Sequence, residues 1–251
     1  MSRHVTMMTI DDVEHYTAED KARIIASYPQ HEREARAKGI PTMGSGRVFP
    51  VSEDDIRCAP FAIPDWWGQV NGLDFGWDHP FAAVGLAWDK DADCVYVGRT
   101  YRKAQATPII HAAALREWGE WVPCAWPHDG YQHDKGSGDQ LAEMYRKQHL
   151  NMMPEHATHI EGGFGTEAGV MDMLDRMQTG RWKVFSTLGD WFEEFRLYHR
   201  LDGKIVKERD DLMSASRIGL MMLRYADTQF PVRRQTDPYA SAKKSSSAWG
   251  V

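Results

Sequence analysis

The 251-residue chain is poor in cysteine: Cys58, Cys94 and Cys124 are odd in number and far apart. That spacing offers neither a disulfide framework nor a Cys-based zinc site, and it fits a reducing compartment. Long apolar runs are missing too, since none approaches the roughly 20 residues that a membrane-spanning helix requires. The start, Met1-Ser2-Arg3-His4, leads into a polar segment without the apolar core of a secretion signal. Basic residues are in deficit, 30 Lys and Arg against 36 Asp and Glu, for a net charge of -6. A protein that coats nucleic acid by neutralising phosphates is therefore disfavoured, although a site built from carboxylates is not. No Gly-x-x-x-x-Gly-Lys-Ser/Thr run occurs, so this chain by itself is not expected to hydrolyse ATP. The glycines between Gly162 and Gly169 lack that ending and read as a loop beside a cleft.

What is present suits one domain of about 150 to 200 residues with an extra segment. Hydrophobic residues make up 42% of the chain, and 10 residues are Trp. Residues 11 to 38 read as helical, with Thr17 as an N-cap and a second helix from Gln30 to Lys38. The stretch from Arg47 to Trp66, with Pro50, Pro60 and Pro64, reads as an extended approach to the core. From Gln69 the texture becomes strand-like: Gln69 to Phe75, Phe81 to Asp89 and Asp93 to Arg102 predict an antiparallel three-strand meander. A helix is predicted from Thr107 to Trp121, a short buried strand at Ala125-Trp126 and a helix from Gln140 to His149. Beyond these come a possible strand at Asn151 to Met153, a helix from Glu167 to Met177 and a strand from Lys183 to Phe185. A helix from Asp190 to Arg200, a turn at Leu201-Asp202-Gly203-Lys204 and a helix from Asp211 to Tyr225 complete the order. This alternation predicts an α/β fold whose mixed sheet carries helices on both faces. The division expected is 1–66 as a helical linker or adaptor, 67–230 as the main domain and 231–251 as a basic, disordered tail.

Three carboxylates carry the chemistry. Asp74 ends an apolar strand between Gly72 and Gly76, small neighbours that let a ligand approach the backbone. Asp129 in Pro127-His128-Asp129-Gly130 is read at the end of the next parallel strand, where α/β folds place their sites. Asp210 and Asp211 precede a helix with Leu212, Ala215, Ile218, Gly219 and Met222 on one face; one acid can cap it while the other, preferably Asp211, faces a metal. Each has a plainer reading as a turn or capping residue. Together they offer the oxygen ligands that Mg²⁺ prefers, and two such ions suit phosphodiester hydrolysis. Lys207 and Arg209 could steer phosphate, whereas His128, His133, Asp172 and the pair His156 and His159 are weaker candidates.

These segments resemble the C-terminal nuclease domain of the large terminase subunit of tailed bacteriophages, which has an RNase H-like fold. The likeness rests on Gly72-Leu73-Asp74-Phe75-Gly76 with His79-Pro80, on Pro127-His128-Asp129-Gly130, and on Gly203-Lys204-Ile205-Val206-Lys207-Glu208-Arg209-Asp210-Asp211-Leu212-Met213-Ser214-Ala215. It covers roughly Val70 to Asp227. The N-terminal piece, including Ser27-Tyr28-Pro29-Gln30-His31-Glu32, is similar to the segment joining the packaging ATPase to the nuclease. With the ATPase core missing, the resemblance implies an isolated part of a longer subunit or a split subunit.

The resemblance further implies a metal-dependent endonuclease that cuts concatemeric double-stranded viral DNA during packaging, in the host cytoplasm and without a membrane. Asp74 would bridge two Mg²⁺ or Mn²⁺ ions, Asp129 would bind one, and Asp211 the other with Asp210 near it. The packaging ATPase domain, the portal and the small terminase subunit are the implied partners. Two alternatives stay open: another RNase H-like nuclease of resolvase or transposase type, and a non-catalytic module that binds a portal.

Overall fold

The structure, a computed structural model, describes residues 9–13, 15–28, 33, 37, 46–133 and 138–229. The predicted helix from Gln30 to Lys38 lies for the most part, and the tail wholly, outside these residues. Helix α1 (Ala18–Ser27) begins as predicted at Thr17, whose hydroxyl accepts from Asp20 N–H at 3.1 Å while the Asp20 carboxylate turns back to it. This is a capping box, satisfying donors that a helix start leaves free.

The sheet has six strands in the order β1-β6-β4-β3-β2-β5. Its centre is the predicted meander, β2 (Gly68–Asp74), β3 (Phe81–Asp89) and β4 (Cys94–Lys103), with Asp74 opposite Ala82. Strand β5 (Cys124–Ala125) pairs parallel with β2, and β6 (Trp182–Phe185) pairs parallel with β4. Within the stretch read as merely extended, α2 (Glu53–Ile56) is a turn of helix and β1 (Arg57–Cys58) pairs parallel with β6. Val48, Phe49, Val51 and Ile56 are buried with it, so this stretch supplies core rather than only an approach. Asn151 to Met153 forms a single bridge, Met152 to Cys124, instead of a strand.

Helices cover both faces, and β3 accordingly is buried and apolar over most of its length instead of alternating. On one side lie α3 (Pro108–Arg116) and α4 (Leu141–Arg146), where Phe81 stacks on His111 and Tyr145. Both helices stop short of their predicted ends. Gly119 and His149, just past them, take positive φ values of 121° and 64°, which a continuing helix does not allow. On the other side are α5 (Thr166–Gln178), α6 (Gly189–Leu197) and α7 (Asp211–Met221). A two-strand hairpin, β7 (Arg200–Leu201) with β8 (Lys204–Ile205), joins α6 to α7 and turns at Asp202 and Gly203, both of positive φ. That matches the turn read from Leu201-Asp202-Gly203-Lys204.

Helix α7 lies unusually close to β2 because Gly72 carries no side chain. A Cβ there would stand 2.0 Å from the Ala215 carbonyl oxygen and 2.5 Å from Gly219 N, both backbone atoms of α7. Direct helix-on-strand contact fixes the start of α7 relative to the end of β2. Helix α6 locks α7 laterally, since Trp191 Nε1 donates to Ser216 Oγ at 3.0 Å with both residues buried. Ser216→Ala is expected to leave that indole N–H without a partner and to cost about 1–2 kcal/mol, measurable by denaturant unfolding. An unchanged midpoint would show that the bond contributes nothing net.

Candidate functional site

A cavity of about 530 Å³ opens at the end of the sheet where β2 stops. Asp74, Asp129, Asp210 and Asp211 all line it, delivered by three separate elements. Asp74 is the last residue of β2, and Asp211 is the first of α7. Asp129 does not end a strand as read: β5 stops at Ala125, and Asp129 lies in a 3-10 turn, His128–Tyr131, after Pro127. Its parent strand is nonetheless the parallel neighbour of β2, which is why the two acids arrive at one edge.

Asp210 does not cap α7, contrary to one option offered by the pair of acids. Its side chain makes no capping hydrogen bond. The first N–H groups of α7 go instead to Glu194 of α6, whose Oε2 accepts from Leu212 N at 2.6 Å and from Met213 N at 3.4 Å. Glu194 is fully buried, and its other oxygen takes the Arg102 guanidinium of β4. A buried carboxylate at a helix N-terminus is favoured by the free N–H groups and the helix dipole. Burial is nevertheless the dominant influence and pushes the Glu194 carboxyl up to about 7, opposed by the Leu212 N–H and Arg102. Because Glu194 does the capping, both Asp210 and Asp211 are left to face the cavity.

Asp74 senses the other three acids. Burial, then the negative charges of Asp129 and Asp210, push the Asp74 carboxyl up to about 8, with Arg217 opposing. Asp129, Asp210 and Asp211 are all raised as well, each chiefly by burial. Oδ1 of Asp129 is buried without any hydrogen-bond partner, a costly state for a carboxylate oxygen unless something else takes it up. The four acids supply carboxylate oxygens, the hard ligands that suit Mg²⁺ or Mn²⁺. They share the cavity without closing into a ready-made cage: among the described residues no three His, Cys, Asp or Glu side chains are close enough for that.

Positive groups ring these acids. Lys207 lines the cavity, as the phosphate-steering idea requires, and Lys204 joins it from the hairpin. Arg209 does not; it pairs with Glu193 at 3.1 Å. Arg200 holds the hairpin to α5 through two bonds to Glu167, at 2.8 and 2.6 Å. Asp172, a weaker candidate, is an exposed partner of Arg176 and does not line the cavity. His156 and His159 each spend a ring nitrogen on a backbone carbonyl, of Ala157 and Gly165, and neither lines the cavity. The glycine-rich stretch is half helix, since α5 starts at Thr166 and brings Thr166 and Glu167 to the cavity wall.

Sequence reasoning missed His79, Ser214 and Arg217 at this site. His79 lines the cavity beside Asp210 and Asp211. A signal for the other two existed: Asp211, Ser214 and Arg217 recur at helical spacing beside the apolar stripe of α7.

Comparison with known proteins follows the same outline. A family model described as the terminase RNaseH-like domain matches residues 71–223. A second, for the N-terminal part of the T4likevirus-type large terminase subunit, matches residues 1–55. The large terminase subunit of Salmonella phage P22 is 50% identical over 234 residues, 93% of this chain and 47% of that protein. That of Enterobacteria phage LP7 is 51% identical over 231 residues, 91% of this chain and 49% of that protein. The chain thus spans about half the length of the curated relatives it matches. Among solved structures, the P22 large terminase nuclease domain superimposes with a TM-score of 0.69 at 47% identity, over 74% of this chain and 97% of that one. The nuclease domain of the bacteriophage SPP1 large terminase, solved with bound Mn, shares the fold at a TM-score of 0.51 and 15% identity, over 68% of this chain and 98% of that one.

Proposed function

The chain belongs to the terminase RNase H-like domain family, and from that premise we propose that it is a two-metal-ion endonuclease that cuts concatemeric double-stranded DNA during genome packaging. The observation that carries the reading is the convergence of Asp74, Asp129, Asp210 and Asp211, from three separate elements, on one cavity that also holds Lys204 and Lys207. A structural cap or turn needs no such meeting. The Mn bound to the SPP1 nuclease domain and the terminase relatives support the same reading.

Mg²⁺ or Mn²⁺ ions, when bound, activate a water for attack and neutralise charge on the leaving 3′ oxygen. Asp74, Asp129 and Asp211, with Asp210 beside them, are the residues to hold them. The buried, unpartnered Oδ1 of Asp129 offers a lone pair with no competing donor. Lys207 and Lys204 are suited to the phosphate backbone on the open side of the cavity. Grip on DNA is otherwise weak in a chain of net charge -6, so the packaging ATPase domain, portal and small subunit are the partners from which further affinity would come. On this reading the segment before Val48 is the connection to the ATPase, whereas Val48 to Cys58, expected with the linker, supply core and strand β1 and belong with residues 67–230 to the nuclease domain.

The test is cleavage of supercoiled plasmid, linear duplex and a four-way junction by the 251-residue chain with Mn²⁺. Nicking and linearisation of plasmid, cutting of linear duplex, and complete inhibition by EDTA are expected. Cleavage confined to the junction would favour a resolvase-type enzyme instead. Failure to cut any substrate at any Mn²⁺ concentration would leave a binding module as the better description.

A further inference from the structure

Arg217 projects into the carboxylate cavity from α7 yet is 8% exposed. Its Nε has no hydrogen-bond partner. The guanidinium's remaining contacts are weak ones, to the Ser214 hydroxyl and the Met221 sulfur, each at 3.4 Å. None of these partners is a carboxylate. A buried guanidinium without an ion pair is costly to the fold, so its retention calls for a reason beyond packing.

Space has been made for it. A Cβ on Gly169 of α5 would stand 2.6 Å from Arg217 Cγ and 3.0 Å from Cδ, so the arginine's stem passes where α5 has no side chain. Asp74 and Asp210 line the same cavity and act on Arg217 electrostatically, and the Tyr198 hydroxyl, which burial keeps protonated, lies in the same wall. A fixed positive charge of this kind, in a cavity with four acids, does part of the work that a bound cation would do.

We propose that Arg217 is a built-in cation of the carboxylate cavity, a positioning residue that offsets the charge of Asp74 and Asp210 and sets how tightly the cavity takes a divalent ion. The inference rests on the metal-site reading above. It predicts a trade: the charge that steadies the acids also repels the incoming ion.

The experiment measures Mn²⁺ binding to the DNA-free 251-residue chain, by the loss of the free-ion electron paramagnetic resonance signal. Wild type, Arg217→Met and Arg217→Lys are compared, with circular dichroism as the check on folding. Arg217→Met is expected to bind Mn²⁺ about tenfold more tightly, the effect of removing one nearby like charge, and Arg217→Lys to stay close to wild type. Arg217→Gln keeps a donor for Ser214 without the charge; it should behave like the Met variant and replaces it if that variant fails to fold. Unchanged or weaker Mn²⁺ binding in the neutral variants would overturn the inference while leaving the metal site standing. If they bind Mn²⁺ as wild type does but show a raised KM for DNA, Arg217 is a phosphate contact instead. Wild type that takes up no Mn²⁺ would sink the metal reading and this inference together.

Discussion

Asp74→Asn is expected to abolish Mn²⁺-dependent DNA cleavage, by at least about 10³-fold in single-turnover rate, while leaving the metal-free protein as stable as wild type or more so. The two halves of that result come from one cause. Asp74 stands at the end of β2 among three other acids, and its carboxyl is pushed up to about 8 by burial and by Asp129 and Asp210. Like charges held at close quarters destabilise the fold, so a neutral isostere relieves repulsion. On the proposed metal reading, the same substitution removes an anionic ligand at the end of β2, in the cavity it shares with Asp129, Asp210 and Asp211. Losing several kcal/mol of charge stabilisation in the transition state corresponds to the stated rate loss, at 1.36 kcal/mol per tenfold. Rates measured under saturating Mn²⁺, beside thermal melts in EDTA, separate chemistry from folding. Full activity in Asp74→Asn would rule out the metal role; lost activity with a collapsed melting temperature would point to a structural role.

Much of this site could be read in the sequence where the signal is local. The meander from Gln69 to Arg102 declared itself by apolar runs separated by turn residues, and its observed bounds differ by only a residue or so. Asp74 was visible because an acid between glycines at a strand end has few cheap structural uses. Asp129 was visible for its neighbours, although it does not end the strand before it: the chain leaves β5 at Ala125 and reaches Asp129 through Pro127.

The remainder depends on contacts between distant segments. Strand β1 is two residues long and exists only because it finds β6 more than a hundred positions later; no propensity marks it. Arg217 looks like a surface arginine on an amphipathic helix until α5 packs against its stem. The identity of the α7 cap was equally hidden, because two adjacent acids before a helix make a sufficient local explanation and the true partner comes from another helix. Local chemistry marked where the charges are, and tertiary packing decides which of them are free to act.

Glu194→Ala tests that last point most directly, and the expected loss is large in both stability and activity. Glu194 is completely buried, pairs with Arg102 of β4 and accepts the Leu212 and Met213 N–H groups, so it ties the central sheet, α6 and the start of α7 together. Removing it leaves a partly buried guanidinium and two helix N–H groups without their acceptor. Breaking a buried pair in this way costs roughly 3–5 kcal/mol, about 10 °C in melting temperature for a chain of this size. Activity should fall further than unfolding alone explains, because Asp210 and Asp211 sit at the very turn that Glu194 holds. A displacement of about 1 Å at a reacting centre can cost on the order of 10²-fold. Glu194→Gln separates the two roles: its carbonyl can still accept from Leu212 N, while its amide N–H₂ must face Arg102, so an intermediate loss is expected. Guanidinium unfolding and cleavage assays at a temperature where each variant is folded supply the measurements. An Ala variant that melts with wild type and cuts DNA at the wild-type rate would mean that Asp210 or solvent caps α7 adequately, and that the acids of the cavity hold their places without help from α6.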